Sequence, residues 1–346
     1  MSEQTIYFPE ADVQKKLFIL ILSILCCIIP SVAFAADIDW KGIQPYKVRL
    51  FYPGVSSWEY LTSKDHGIGR YSVINNKKSC AGCHISKGLT FDLRDQEIVR
   101  GSLKMKESKR QFEPSPMQDK PASMTAFIQA AYDDEYIYFR VQWDSAGKSW
   151  NNPATERFDG VAMQINAGRP EFEKFGCFIA CHDYQNTMPD SPSKDKVAKH
   201  PYYAKLKRDD VRLYAFYTRN NGWEDIKDDA SLADLLEKDG LIDLWYVSIN
   251  GKNMEVKDES IFADRRDDSK NDIEASGTWE NGKYTVIMKR KLVTMDQEDV
   301  QLKAGSSLNV GLAIHDDWAQ KRTHYVSFPV SIGLGTKGTI TATKIR

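Results

Sequence analysis

The sequence predicts a mainly β protein, in which a β-sandwich domain follows a small irregular or helical segment. Two observations favour this fold class. From about residue 119 onward, short runs alternate apolar and polar residues, as when Ile137 and Phe139 share one strand face. Before that point the chain is short of apolar periodicity and rich in glycine, lysine and turn residues. The proline-containing stretch 112–123 resembles a linker, so we predict domains at 36–118 and 119–346.

Individual elements follow from local patterns. Asp133-Asp134 separates two strand-like runs, and Asn281-Gly282 is typical of a β-hairpin turn. A short helix is expected at 231–240, where leucines recur at helical spacing before Gly240. Many strands and few helices favour a sandwich. Further strands are predicted at residues 160–165, 211–218, 241–249, 283–289, 308–315 and 324–330.

Residues 1–35 have the pattern of a cleavable signal peptide. Lys15 and Lys16 precede a 13-residue apolar run, and small residues at Ala33 and Ala35 precede the expected cleavage site. The run is shorter than the ~20 residues of a membrane-spanning helix. We expect export to the periplasm and no membrane span after cleavage; an uncleaved anchor is the alternative.

The expected mature chain has 45 basic and 45 acidic residues, which gives no indication of nucleic-acid binding. Its cysteine usage is more informative. Cys26 and Cys27 leave with the signal peptide, so every remaining cysteine belongs to one of two motifs, each followed directly by a histidine.

The first motif, "CAGCH", spans residues 80–84. Cys80 and Cys83 are three apart, so both thiols face the same side of a helical turn. Two thiols so placed suit the two vinyl groups of a haem, and His84 follows as an iron ligand. In an exported chain this pattern is a specific signal for c-type haem.

The second motif, "CFIACH", has one residue more between its cysteines. Cys177 and Cys181 are four apart, which is also a same-face spacing, and His182 follows at once. We therefore predict a second covalent haem here. A disulfide within each pair, or one zinc held by all four thiolates, are the alternatives, but neither explains the adjacent histidines.

The second axial ligands are sought among the remaining histidines. His66 lies 18 residues before His84 in a glycine-flanked loop, and we predict it as the distal ligand of haem 1. For haem 2 we predict His324, because it alternates with Val326 and Phe328 on a strand face expected to be buried. His315 and Met188 are the alternatives, and a core histidine bonded to a backbone carbonyl is the non-ligand interpretation of His324.

The two segments of the chain together resemble exported cytochromes that carry the haem-binding domain of the ethylbenzene dehydrogenase small subunit and related dimethyl-sulfoxide-reductase-type enzymes. The resemblance rests on "LFYPGVSSWEYL" and "HGIGRYSVINNKKSCAGCH" in the first segment. In the second it rests on "AAYDDEYIYFRVQW", "RFDGVAMQI", "CHDYQNTMP", "SGTWENGKYTVIMKRKL" and "RTHYVSFPVSIGLG".

The resemblance implies a β-sandwich that holds a haem between its sheets and loops and conducts electrons. In the enzyme subunits the haem is b-type and bound by methionine and lysine. This sequence departs from that scheme by carrying attachment cysteines and His182, although a second ligand in a late strand would suit His324.

Three functions are weighed. The first is a periplasmic dihaem c-type cytochrome that transfers electrons in a respiratory chain, with two covalent haems and bis-histidine ligation. Its redox partners would be a molybdenum oxidoreductase or a membrane quinol-oxidising cytochrome. The second is a haem enzyme with one open coordination position for peroxide or a sulfur or nitrogen oxide. The third is a non-haem β-sandwich binding module. Basic runs at 104–110 and 194–208 would steer an acidic partner, or are simply solvated faces.

Overall fold

The computed structural model describes residues 38–86, 90–117, 119–154, 158–180, 191–211, 214–268, 270–317 and 323–346. Residues Asp39–Arg346 belong to one compact unit. The predicted signal peptide lies outside the described residues. Among the described helices, none has the length and apolar character required to cross a membrane.

The predicted mainly β class is confirmed, since strands hold more of the described residues than helices do. The strands are β1 (Tyr46–Phe51), β2 (Ser123–Tyr132), β3 (Tyr136–Asp144), β4 (Asp159–Asn166), β5 (Ile242–Asn250), β6 (Asn253–Ile261), β7 (Arg265–Asp267), β8 (Glu274–Glu280), β9 (Lys283–Lys291), β10 (Ser307–His315), β11 (Tyr325–Val326), β12 (Val330–Leu334) and β13 (Ile340–Lys344).

These strands form a sheet whose two halves face each other. Its order is β7-β6-β5-β4-β10-β11-β1-β2-β3-β9-β8, and β12 and β13 make a second connection between β10 and β2. Phe139 on β3 contacts Trp245 on β5 across the interior, with ring centroids 5.6 Å apart. Both side chains are fully buried in one core to which both halves contribute, which is the arrangement of a sandwich.

The helices are short. They are α1 (Trp58–Thr62), α2 (Gly69–Ile74), α3 (Cys80–His84), α4 (Asp95–Val99), α5 (Lys148–Asn151), α6 (Pro170–Phe175), α7 (Lys194–Lys199), α8 (Pro201–Lys205) and α9 (Asp229–Glu237). Turns of 3-10 helix lie at Trp40–Gly42, Lys64–His66, Gly176–Ile179 and Phe216–Thr218.

The segment before the proline-rich stretch is tied to the sheet. Strand β1 pairs along its whole length with β2, and its last residue, Phe51, pairs with Val326 on β11. Helices α1 to α4 follow β1 directly. The helical segment is therefore anchored by its first strand to the same sheet that the rest of the chain builds.

The outer face of β4 and β10 carries small side chains. Inward-facing Val310, Leu312 and Ile314 enter the core, so Ala313 and His315 point the other way. Ala313 pairs with Ala162 on β4, and His315 pairs with Gly160. These small residues in register form a shallow surface, the small-residue floor, on which other segments can lie.

Two predicted strands are wrong in part. Residues 216–218 form a 3-10 turn, closed by the Thr218 hydroxyl donating to the Ala215 carbonyl at 2.7 Å. The predicted strand 324–330 is interrupted after β11, because Pro329 has no N–H to donate and β12 begins only at Val330. The hairpin at Asn281-Gly282 joins β8 to β9, and both residues have positive φ, at 52° and 76°.

Candidate functional site

The first cysteine motif forms helix α3. Ser79 caps it, since its hydroxyl accepts a hydrogen bond from the Gly82 N–H at 3.0 Å. A Cβ on Gly82 would lie 3.2 Å from that hydroxyl oxygen, so a small residue is favoured there. Cys83 is exposed at the end of this turn, whereas Cys80 packs toward the interior.

A cavity of about 330 Å³ opens beside this helix. Its chemistry-bearing residues are Cys80, Cys83, His84 and His66. Its other walls are largely apolar and come from separate elements: Phe51, Leu61, Val73, Leu93, Phe112, Phe178 and Phe328. The volume and the few convergent polar groups are typical of a cofactor or small-ligand site.

The two histidines face each other across this cavity. Their ring centroids are 6.2 Å apart, and their planes differ by 22°. The His66 Nδ1 lies 2.7 Å from the Leu61 carbonyl oxygen, and the His84 Nδ1 lies 3.0 Å from the Asp92 carbonyl oxygen. A carbonyl only accepts, so each Nδ1 must donate, which leaves both Nε2 atoms as lone-pair donors.

The absence of a side chain at Gly69 makes room for the His66 ring. A Cβ on Gly69 would lie 2.7 Å from His66 Cε1 and 2.8 Å from Nε2, so any side chain there would collide with the imidazole. Burial lowers the pKa of His66, which is offset in part by the Leu61 carbonyl and reinforced by His84. The ring is therefore neutral at pH 7, the state in which an imidazole binds a metal.

The Cys80 thiol is electrostatically coupled to both cysteine motifs. Burial, reinforced by the neighbouring Cys177 and Cys83 sulfurs, raises its pKa to about 12. Cys80 and Cys83 remain thiols rather than a disulfide. Protonated, buried sulfur of this kind is a poor nucleophile until a reaction partner is placed against it.

The two motifs meet on the outer face of the sheet. Cys80 and Cys177 both pack against Phe51, Val326 and Phe328. Phe178, directly after Cys177, lines the first cavity and stacks on Phe51 at 6.3 Å. Over 90 residues of sequence separate the motifs, yet the fold brings their first cysteines together.

Cys177 lies over the small-residue floor. Cys177 lies within the 3-10 turn Gly176–Ile179, and a Cβ on Gly311 would lie 3.8 Å from its sulfur. Gly176 has φ of 55°, which lets the chain turn sharply out of α6. The rest of this motif, Cys181 and His182, and the alternative ligand Met188 lie outside the described residues.

His315 and His324 lie together at the other end of this floor. Their ring centroids are 4.9 Å apart. His315 is 5% exposed and contacts Phe158 and Tyr246, at 5.5 and 5.8 Å. A second cavity, of about 530 Å³, is lined by His315, Tyr246 and Phe158. The antiparallel pairing of β10 with β11 places the two histidines side by side.

Some residues that shape these sites carried no sequence signal. The carbonyls of Leu61 and Asp92 orient the histidines through backbone atoms, which any residue type supplies. Phe51 on β1 and Phe328, two residues after β11, are far apart in sequence, and the β1 to β11 pairing brings them together.

The sequence of this chain is similar to that of a known protein family. The family model described as "Ethylbenzene dehydrogenase" matches residues 37–270 and 260–327. Over 315 residues the chain is 30% identical to cytochrome c-552 of Stutzerimonas stutzeri, covering 90% of this chain and 92% of that protein. It is 23% identical over 158 residues to cytochrome c-551 of Rhodocyclus tenuis, covering 45% of this chain and 60% of that protein.

Among solved structures, a family 9 carbohydrate-binding module from Caldicellulosiruptor kristjanssonii in complex with glucose aligns over 61% of this chain and 69% of that one. Its identity is 9% and its TM-score is 0.28, at which level the likeness carries no argument. The family assignment rests on the sequence matches, which extend over most of the chain. The chain belongs to the ethylbenzene dehydrogenase family.

Proposed function

We propose that this protein is a periplasmic dihaem c-type cytochrome that carries electrons in a respiratory chain. The observation that carries the proposal is the facing pair of His66 and His84, 6.2 Å apart beside the two thiols of a C-x-x-C-H turn. Similarity to proteins named cytochrome c-552 and cytochrome c-551 supports it.

The donor set of the first cavity fits a haem. One transition-metal ion has room between the imidazoles, because metal-to-nitrogen distances are about 2 Å. Cys80 and Cys83 supply the sulfurs for two thioether bonds, each formed by adding S–H across one vinyl group with no atom lost. Backbone carbonyls hold both rings in the orientation that binding requires.

When bound, the haem supplies one-electron redox chemistry. The contribution of the chain is to anchor, ligate and shield it. The apolar walls of the cavity exclude water from much of the porphyrin site, and two neutral imidazoles favour a low potential compared with histidine and methionine ligation.

For the second haem we propose that Cys177 and Cys181 would attach the group and that His182 and His324 would bind its iron. Support comes from Cys177, which lies on the small-residue floor, and from His324 at the far end of that floor. His315 is the alternative ligand, because its ring lies 4.9 Å from that of His324. Iron ligation by one of them leaves the other within contact distance of the site.

Convergence of the two motifs supports an electron conduit rather than two separate sites. Cys80 and Cys177 share one apolar cluster, and Phe178 belongs to both sites. We propose that electrons pass between the two haems at this junction. Donor and acceptor are proposed as redox proteins of the respiratory chain, a molybdenum oxidoreductase or a quinol-oxidising membrane cytochrome.

Ligand binding and reductive titration test this proposal against the haem-enzyme alternative. Two irons each held by two protein ligands should take up two electrons, show low-spin spectra and bind no carbon monoxide when reduced. Stoichiometric binding of one carbon monoxide or one cyanide per protein would instead establish an open coordination position and favour the enzyme.

A further inference from the structure

Three large apolar side chains stand exposed on one short stretch beside the first haem site. Ile68 is 87% exposed, Tyr71 55% and Ile74 59%. All three lie on or next to α2, whose opposite side is anchored by the buried Val73. Exposed apolar side chains grouped in this way are characteristic of interaction surfaces. We refer to Ile68, Tyr71 and Ile74 as the α2 patch.

The α2 patch lies in a basic region of the chain. Residues 64–110 hold eleven basic and five acidic side chains, although the whole chain has a formal net charge of −1. Lys64 and Lys77 are exposed on either side of α2. Lys78, Lys104 and Lys106 line the haem cavity itself.

A specific contact holds the basic loop 104–110 against the histidine turn. One Asp65 carboxylate oxygen accepts hydrogen bonds from the backbone N–H groups of Glu107, at 2.6 Å, and Ser108, at 3.2 Å. The carboxylate of Asp65 is thereby turned toward the loop backbone. Lys78, Lys104 and Lys106 outnumber the two carboxylates, Asp65 and Asp92, that also line the cavity.

The α2 patch is also close to the redox site. His66 is two residues before Ile68, and Gly69 contacts the His66 ring from the first turn of α2. The exposed Cys83 lies on the same cavity. A protein bound to the patch would therefore approach the first haem site from the side of His66.

We propose that the α2 patch and its lysine rim are the docking surface for an acidic redox protein, and that electrons enter or leave through the first haem. The inference rests on the proposed cytochrome function. An apolar centre with an aromatic residue, surrounded by charge, is the anatomy of a protein interface. The basic rim gives the sign of the partner, since it accelerates encounter with a negatively charged surface.

A second pair of exposed apolar side chains, Val293 and Met295, provides a matched comparison. Val293 is 65% exposed and Met295 99%, but Asp296 and Glu298 follow them directly. They contact neither cavity among the described residues. An acidic partner would be repelled from that loop.

The test is stopped-flow reduction of the intact holoprotein by flavodoxin hydroquinone, used as an acidic one-electron donor. Each transfer converts the flavin hydroquinone to the semiquinone and one ferric iron to ferrous. Four double variants are compared: Lys64→Glu/Lys77→Glu against Lys252→Glu/Lys303→Glu, which changes net charge equally, and Ile68→Ser/Ile74→Ser against Val293→Ser/Met295→Ser. Haem content and the reduced spectrum are recorded first for every variant.

We expect the wild-type rate constant to fall with rising ionic strength. Lys64→Glu/Lys77→Glu should lower it by about tenfold at low salt and flatten the salt dependence, whereas the charge-matched control changes it less than about twofold. Ile68→Ser/Ile74→Ser should raise the flavodoxin concentration at half-maximal rate, and Val293→Ser/Met295→Ser should not.

Equal effects in test and control variants that retain their haems would overturn the docking proposal and leave the cytochrome assignment intact. Absence of haem from the wild-type protein would instead overturn the proposed function. Co-sedimentation with phosphatidylserine vesicles that is lost in Ile68→Ser/Ile74→Ser, without a change in flavodoxin kinetics, would reassign the patch to a lipid surface.

Discussion

The imidazoles of His66 and His84 face each other at 6.2 Å, and each donates its Nδ1 hydrogen to a backbone carbonyl. One histidine lies in a 3-10 turn, and the other ends the helix that carries both cysteines. Two independently anchored rings in this relation are preorganised for the proposed iron ligation.

Replacing His66 with methionine tests this pair. We expect His66→Met to raise the midpoint potential of one haem, because a thioether ligand favours the ferrous state more than an imidazole does. The rise should be a substantial part of the ~0.8 V range that axial ligands span. Spectroelectrochemical titration measures it, with His200→Ala as a control outside both cavities. An unchanged pair of potentials would remove His66 from the ligand set.

Gly69 should be needed for the same ligation. Its added Cβ in Gly69→Ala would lie within 2.8 Å of His66 Nε2, so the ring must move away from the iron position. We expect a high-spin signal from one haem in the ferric electron paramagnetic resonance spectrum. Gly222→Ala is the matched control, since its nearest neighbour would be 3.7 Å away. A fully low-spin Gly69→Ala protein would show that His66 is not held by this contact.

The second haem should be lost independently of the first. In Cys177→Ala/Cys181→Ala we expect covalent haem to fall from two equivalents to one, while the spectrum of the His66 and His84 site persists. Cys80→Ala/Cys83→Ala should give the complementary loss. Pyridine haemochrome quantification on denatured protein measures the equivalents. Two equivalents retained in the first variant would contradict attachment at the longer motif.

The unfolding free energy should fall as pH rises from about 4 to 8. Burial, reinforced by the carboxylates of Asp243 and Asp299, raises the pKa of Asp258 to about 8 and that of Asp268 to about 7. The folded state therefore keeps protons that the unfolded state has already released, so the contribution of these two groups to stability is greatest below about pH 4 and is lost as the pH rises to their folded pKa values.

Asp258→Asn should weaken this dependence. The amide oxygen can still accept from the Asp272 N–H, now 3.1 Å from Asp258, but no charge develops in the buried site. We expect on the order of 2 kcal/mol more stability than wild type at pH 8.5 and little difference at pH 5. Urea denaturation at the two pH values measures it, with the exposed Asp134→Asn as control. A parallel shift at both pH values would contradict the assignment.

Much of the fold was predictable because strand faces repeat every second residue. The runs at 283–289 and 308–315 match β9 and β10 closely, and Asn281-Gly282 forms the predicted turn. Short strands such as β7 and β13 were missed, since they gain their stability from pairing partners rather than from their own pattern. Residues 216–218 alternate like a strand but form a turn that packs into a separate aromatic cluster.

The candidate site divides in the same way. The C-x-x-C-H spacing predicts Cys80, Cys83 and His84 as site residues, and the position of His66 in a loop before them predicts it as a ligand. The meeting of Cys80 with Cys177, and of His315 with His324, depends on strand pairings between distant segments. No local pattern encodes such contacts. The four-thiolate zinc alternative requires the two cysteine pairs to converge, and the fold brings Cys80 and Cys177 together.

The intact mass of the exported, mature protein tests the central claim most directly. Cleavage after Ala35 and two thioether-linked haems predict the mass of residues 36–346 plus two haem groups, resistant to acid and organic solvent. A mass with one added haem would contradict attachment at Cys177 and Cys181. A mass with none would contradict the cytochrome function and favour a zinc site, paired disulfides or a non-haem binding module.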